Sequence, residues 1–189
     1  MTGTLEAFAR TVIVGNGGSG KSWLAGRLAA ALSAPAIDLD DIHWLPGGFN
    51  ARRDPQAAID MVRAKAAEDR WVIEGVYGWL ANAALPRATS LVWLDIPIEE
   101  CIANVKARGL RRGGDDAAFA ALIAFVGDYA TRTNANSRIA HEQAFDAFTK
   151  TRLRIATRED MAKVLRASAR AKTRPAHVNR ARFGAARPG

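Results

Sequence analysis

Residues 15 to 22 read GNGGSGKS, four glycines with a lysine and two hydroxyls directly behind the apolar run Thr11-Val12-Ile13-Val14. Glycine loses more conformational entropy on folding than any other residue, so a loop this rich in it serves a backbone shape or a close approach that side chains forbid. Gly15, Gly20, Lys21 and Ser22 fit the spacing G-x-x-x-x-G-K-[ST] between a strand and a helix, where successive backbone N–H groups wrap a phosphate. The start of the helix adds free N–H groups and about half a positive charge. The expected nucleotide-binding residues are thus Gly15, Asn16, Gly17, Gly18, Ser19, Gly20, Lys21, Ser22 and Trp23. Lys21 would reach the terminal phosphates and Ser22 a magnesium ion, with Trp23 in packing.

Magnesium also needs hard oxygen ligands, and three segments offer them. AIDLDDIHW supplies Asp38, Asp40 and Asp41; in an extended segment Asp38 and Asp40 would point the same way, with a turn and helix cap as the alternative. WVIEGVYGWL places Glu74 and Gly75 at the end of a buried strand, where an acid must reach solvent or find a cation. Glu74 would hold magnesium through water or orient an acceptor. Asp95 in LVWLDIP is its rival, with a helix cap as the competing reading. Ser22, Asp40 and Glu74 form the expected metal set, and Asp40 is also the expected base or contact for an acceptor hydroxyl.

The acceptor side is read as Asp38, Asp40, Trp44, Arg52, Arg53, Glu74 and Gly75, the two arginines suiting a phosphate acceptor. KARGLRRGGDD brings Lys106, Arg108, Arg111 and Arg112 together with Gly109, Gly113 and Gly114, a composition suited to a lid that neutralises moving charge. Lys21, Asp40, Arg108, Arg111 and Arg112 are the expected catalytic residues; Arg132 and Arg138 are further lid candidates, and a plain charged surface loop is the other reading. His43, His141 and His177 share no zinc-ligand spacing with Cys101. Of the tryptophans, Trp23, Trp71 and Trp93 read as core, and Trp44 and Trp79 as lining of an acceptor pocket.

These residues hang on an alternating framework. Apolar runs predict strands at 10–14, 35–39, 71–73, 89–96 and 153–156, and helical periodicity fills 22–32, the segment from Asp54-Pro55, 97–108, 115–130, 134–148 and the stretch from near Arg158. Strands separated by helices imply a parallel sheet covered on both faces, which binds ligands at the carboxyl ends of its strands. The division expected is one domain over 1–168, with a lid at roughly 106–140, followed by a basic, disordered tail over 169–189.

Composition is that of an ordinary soluble chain, 49% hydrophobic and 24% charged. The net charge of +8 suggests nucleic acid until it is located. Eight of the 27 bases lie from Lys163 onward with no acid among them, so the preceding chain carries as many bases as its 19 acids. No apolar stretch is long enough for a bilayer, and a single cysteine, Cys101, read as a buried inert thiol, agrees with a reducing compartment; a cytoplasmic location follows by default.

The chain resembles the adenylate-kinase-like branch of P-loop proteins and, more narrowly, the small bacterial topology modulation proteins. GNGGSGKS, LDDIHW with PGG shortly after, WVIEGVY, LVWLDIP with Cys101 behind it, and the arginines from Arg108 carry the likeness, over residues 11 to about 165. It implies a three-layer α/β/α fold with a five-stranded parallel sheet and a small helical lid, ATP with magnesium, and an acceptor site near Asp40 and Glu74. Glu74 stands where related nucleoside monophosphate kinases often carry Asp, and no base-selecting motif follows it. The expected function is phosphoryl transfer to a small molecule, a nucleotide or nucleoside among the options; the alternative is a nucleotide-binding regulatory protein that contacts DNA through its basic tail. Simple ATP hydrolysis for a partner ranks last.

Overall fold

A computed structural model of the chain describes residues 5–46, 51–110 and 115–164. Arg111 and Arg112 of the expected catalytic set, and the basic tail, lie outside the described residues.

Five strands, β1 (Arg10–Gly15), β2 (Ala36–Asp38), β3 (Trp71–Gly75), β4 (Ser90–Leu94) and β5 (Thr151–Ile155), form one parallel sheet in the order β2-β3-β1-β4-β5. Among the described residues seven α-helices lie between them: α1 (Lys21–Leu32), α2 (Leu39–His43), α3 (Pro55–Ala66), α4 (Gly78–Ala84), α5 (Ile98–Arg108), α6 (Asp116–Gly127) and α7 (Arg138–Ala147). A further helical segment occupies 158–164.

Alternation along the central strand explains the layers. Val12 and Val14 point to one face and join Trp71, Ile73, Leu91 and Trp93 beneath α2, α3 and α4; Ile13 points to the other and joins Val72, Val92 and Leu94 beneath α1 and α5. On α1 the residues Leu24, Leu28 and Leu32 repeat every four positions and are buried. Each fully buried side chain of this kind contributes about 1.5–3 kcal/mol. The one buried polar side chain of β1, Thr11, is satisfied: its hydroxyl donates to the Phe8 carbonyl at 2.7 Å and meets the Ser90 hydroxyl at 2.8 Å.

The chain departs from its sequence pattern at β2. Asp38 ends the strand and caps α2, its side chain accepting the Asp40 N–H at 2.9 Å. The extended segment expected over Asp38 and Asp40 therefore turns helical at Leu39, because an aspartate offers the first helical N–H groups a better partner than a short edge strand does. Asp54 caps α3 with Pro55 behind it, as its sequence implies, accepting the Ala57 N–H at 2.9 Å.

Candidate active site

The glycine loop sits at the carboxyl end of β1, where successive connections leave to opposite sides of the sheet. Gly18 and Gly20 take φ of 79° and 96°, a region that L side chains rarely adopt. At Gly18 a Cβ would also lie 2.3 Å from the Cys101 carbonyl oxygen, so the loop reaches α5 only because no side chain intervenes. Two amides lock that approach: Asn104 Nδ2 donates to the Gly18 carbonyl at 2.9 Å, and Asn16 Nδ2 to the Val126 carbonyl on α6 at 2.8 Å.

Lys21 is 8% exposed, and its ammonium donates to the Asn16 carbonyl at 2.8 Å. Beside it the buried Ser19 hydroxyl has no hydrogen-bond partner among the described residues. A buried ammonium donating to a neutral carbonyl, a buried hydroxyl with no partner among the described residues and the positive end of the α1 dipole together suit an anion. A polyphosphate supplies one, so the residues present fit a nucleotide.

One cleft of about 1620 Å³ opens from this loop, larger than the roughly 300–1,000 Å³ of a single small-molecule site. Gly17 to Trp23 line one end, facing Glu100, Asn104, Arg108, Arg158 and Met161. Gly15 and Asn16 do not line it; they brace the loop from behind. Trp23 is a correction: expected in the core, it stands 49% exposed at the cleft, with the Arg27 guanidinium 4.6 Å from its ring centroid, because the inward face of α1 belongs to Leu24, Leu28 and Leu32. Trp71 and Trp93 are fully buried as read. Sequence reasoning missed Glu100, Asn104 and Arg158. Arg158 donates from Nε to Glu100 and from Nη2 to Asn104, which in turn holds the loop. The available signal was position, since Arg158 follows the end of β5 on the ligand-binding edge of the sheet.

The other end of the cleft is lined by Asp40, His43, Trp44, Arg52, Arg53, Glu74, Gly75, Tyr77 and Trp79. Glu74 is 4% exposed and no described cation pairs with it. Asp38 lies beside it in register on β2 and is not among the side chains that line the cleft. Burial, then the charges of Glu74 and Asp40, push the Asp38 carboxyl up to about 7 against the opposing Asp40 N–H. Among the described residues no three His, Cys, Asp or Glu side chains gather into a metal cage. Ser22 at the loop, with Asp40 and Glu74 across the cleft, offers a few hard oxygens, a set that suits a magnesium ion held mainly by substrate phosphates and water.

Asp95 takes neither role proposed for it. It accepts two hydrogen bonds from Arg138, each 2.9 Å, and is paired again with Arg154, while Pro97 stands at the start of α5. Burial alone would raise its carboxyl, but these arginines outweigh it and hold it below the usual range. Arg138 is thereby committed away from the cleft. Arg132 does not line the cleft either; its guanidinium packs 3.9 Å from the Phe125 ring centroid, buried and without a hydrogen-bond partner among the described residues. Arg108 is the described arginine of the expected lid cluster that reaches the cleft.

Behind Tyr77 a buried network fixes the strand end. His141 Nδ1 meets the Tyr129 hydroxyl at 2.7 Å and its Nε2 meets the Val76 carbonyl at 3.1 Å, with Trp93 Nε1 donating to the same hydroxyl at 3.2 Å. Burial pushes His141 down to about 4, so a neutral ring donates to Val76 and accepts from Tyr129. Cys101 is buried, its thiol pushed up to about 11 chiefly by burial.

No protein-family model and no curated protein matches the chain. Among solved structures it is similar to a shikimate kinase from Bacteroides thetaiotaomicron, with 17% identity, 84% of this chain and 94% of that one covered, and a TM-score of 0.51. A gluconokinase from Sinorhizobium meliloti 1021 aligns at 15% identity over 87% and 92% of the two chains, TM-score 0.49, and a shikimate kinase from Aquifex aeolicus at 16% over 83% and 91%, TM-score 0.47. At such identities the likeness establishes the α/β fold with its five-stranded parallel sheet.

Proposed function

We propose that the protein is an ATP- and magnesium-dependent phosphotransferase acting on a small molecule. The observation that carries this reading is a single cleft with two unlike ends, an anion cradle around Lys21 and a carboxylate wall at Asp40 and Glu74. Gly17 to Ser22 hold the polyphosphate through backbone N–H groups and the Lys21 ammonium. Ser22, with Asp40 and Glu74 through water, would hold magnesium, whose contribution would be to offset phosphate charge. Asp40 orients an acceptor hydroxyl and takes its proton as the oxygen bonds to the terminal phosphorus and the bond to the bridging oxygen of ADP breaks. Arg108, at the end of α5 and on the cleft, would face the transferred group. The resemblance to adenylate-kinase-like proteins supports the same assignment, with a nucleotide or nucleoside among the acceptor options.

The test is ADP release from ATP and magnesium in the presence of nucleoside monophosphates, nucleosides and small hydroxy acids. Acceptor-dependent release is expected with at least one, and its absence from the whole panel counts against the proposal.

A second reading, nucleotide-dependent contact with DNA, is favoured by the eight bases without an acid from Lys163 onward and by the resemblance to topology modulation proteins. Removing residues 169–189 should then abolish salt-sensitive DNA binding and spare ATP binding. Unchanged DNA affinity after that deletion sinks this reading.

A further inference from the structure

The acceptor end of the cleft is built unlike a pocket for a flexible polyol. His43 lies against Tyr77 with ring centroids 4.1 Å apart and planes 33° apart, and meets Trp44 and Trp79 edge-on at 4.7 and 5.9 Å. Trp44 Nε1 donates to the Tyr77 hydroxyl at 2.8 Å, so the aromatic wall is fixed before any ligand arrives. Inside it His43 Nδ1 is buried and has no hydrogen-bond partner among the described residues. On the same wall the Arg52 guanidinium sits 5.6 Å from the Trp44 ring centroid, and Arg53 anchors only its Nε, on the Ile42 carbonyl at 2.9 Å. Neither arginine is ion-paired among the described residues, although both line the cleft.

Resting on the phosphotransferase reading, we infer that the acceptor is a ring-bearing anion. Its ring packs on the wall of His43, Trp44, Tyr77 and Trp79, a polar ring atom meets His43 Nδ1, its anionic group lies on Arg52 and Arg53, and its reacting hydroxyl faces Asp40. The separation of charges on the wall gives the orientation. Asp40 repels an anion and so confines it to the arginine side, while two unpaired guanidinium groups are the strongest recognition elements for a carboxylate or phosphate. Flat faces favour a ring, since an acyclic chain would leave aromatic surface without matching contact. Burial, then the charge of Arg52, holds the His43 imidazolium below its ordinary range, which suits a neutral ring reading a polar edge.

The test is calorimetry on the full-length protein saturated with a non-hydrolysable ATP analogue and magnesium. Four probes are titrated: cytidine 5′-monophosphate, shikimate, gluconate and glucose. At least one ring-bearing anion should bind about tenfold or more tighter than both gluconate and glucose, the span of one well-made polar contact. His43→Phe keeps the ring face and should lose about tenfold for that probe with affinity for the analogue unchanged. Arg52→Gln, on the exposed rim, gives a second variant that leaves the core intact and should erase the advantage over glucose. The tighter of the two ring anions tells a phosphate from a carboxylate. Gluconate or glucose binding as tightly as the ring anions overturns the inference, as does silence from all four probes while the analogue binds. Failure of the analogue itself overturns the phosphotransferase reading, and this inference with it.

Discussion

The two ends of the cleft are built from different materials. At the Lys21 end recognition belongs to the backbone: glycines at special φ, carbonyls held by Asn16 and Asn104, and the start of α1. At the Asp40 end it belongs to side chains drawn from α2, the segment around Arg52, the end of β3 and the start of α4. A backbone site must be spelled contiguously, because its geometry depends on consecutive φ and ψ. A side-chain site is free to be scattered, and it can change its ligand without disturbing the fold.

Lys21→Ala should separate the two ends most sharply. Loss of the buried ammonium is expected to lower kcat on the order of 10²–10³-fold, seen as ADP formation, with the melting temperature nearly unchanged. Asp40→Asn comes next, lowering kcat by roughly 10²-fold or more while calorimetry shows nucleotide affinity intact; an equal loss of nucleotide affinity would merge the two ends into one. Gly18→Ala acts through shape. Its methyl would lie 2.3 Å from the Cys101 carbonyl and in a disfavoured φ, so it should cost about 1–3 kcal/mol in urea unfolding and weaken nucleotide binding, leaving the acceptor end to bind its probes.

Two carboxylates outside the cleft provide the smaller effects. Asp95→Asn breaks contacts to half-exposed arginines, so a loss of about 1–2 kcal/mol is expected once solvent screening is allowed for, with kcat/KM unaffected. Asp38 carries a pH signature. Its folded carboxyl, pushed up to about 7 from 3.8, binds more protons than the unfolded one between those values. Its contribution to stability is therefore greatest below pH 3.8 and is lost as pH rises through 7. Asp38→Asn keeps the helix cap and should raise the melting temperature at pH 8 more than at pH 5; an equal shift at both would remove Asp38 as the titrating group.

The loop from Gly15 to Ser22 and the alternation of strands and helices were legible because each is local: one is a spacing, the other a periodicity. What lay between strands was harder. The α2 cap at Asp38 could not be told from a strand end, since both readings place Asp after an apolar pair. Trp23 and Trp71 look alike in sequence, and only the angular position of each on its element sends one to solvent and the other inside. The competition between Glu74 and Asp95 was undecidable without knowing that Arg138 and Arg154 converge on Asp95 from 43 and 59 residues away. Arg158, likewise, meets Glu100 and Asn104 across 58 and 54 residues, a distance over which no single-sequence pattern speaks.

Asn16 joins the phosphate loop to α6 through two different groups. Its carboxamide grips the final turn of α6 while its backbone carbonyl receives the Lys21 ammonium, so α6 is tied to the same residue whose backbone atom would compete with phosphate for the lysine.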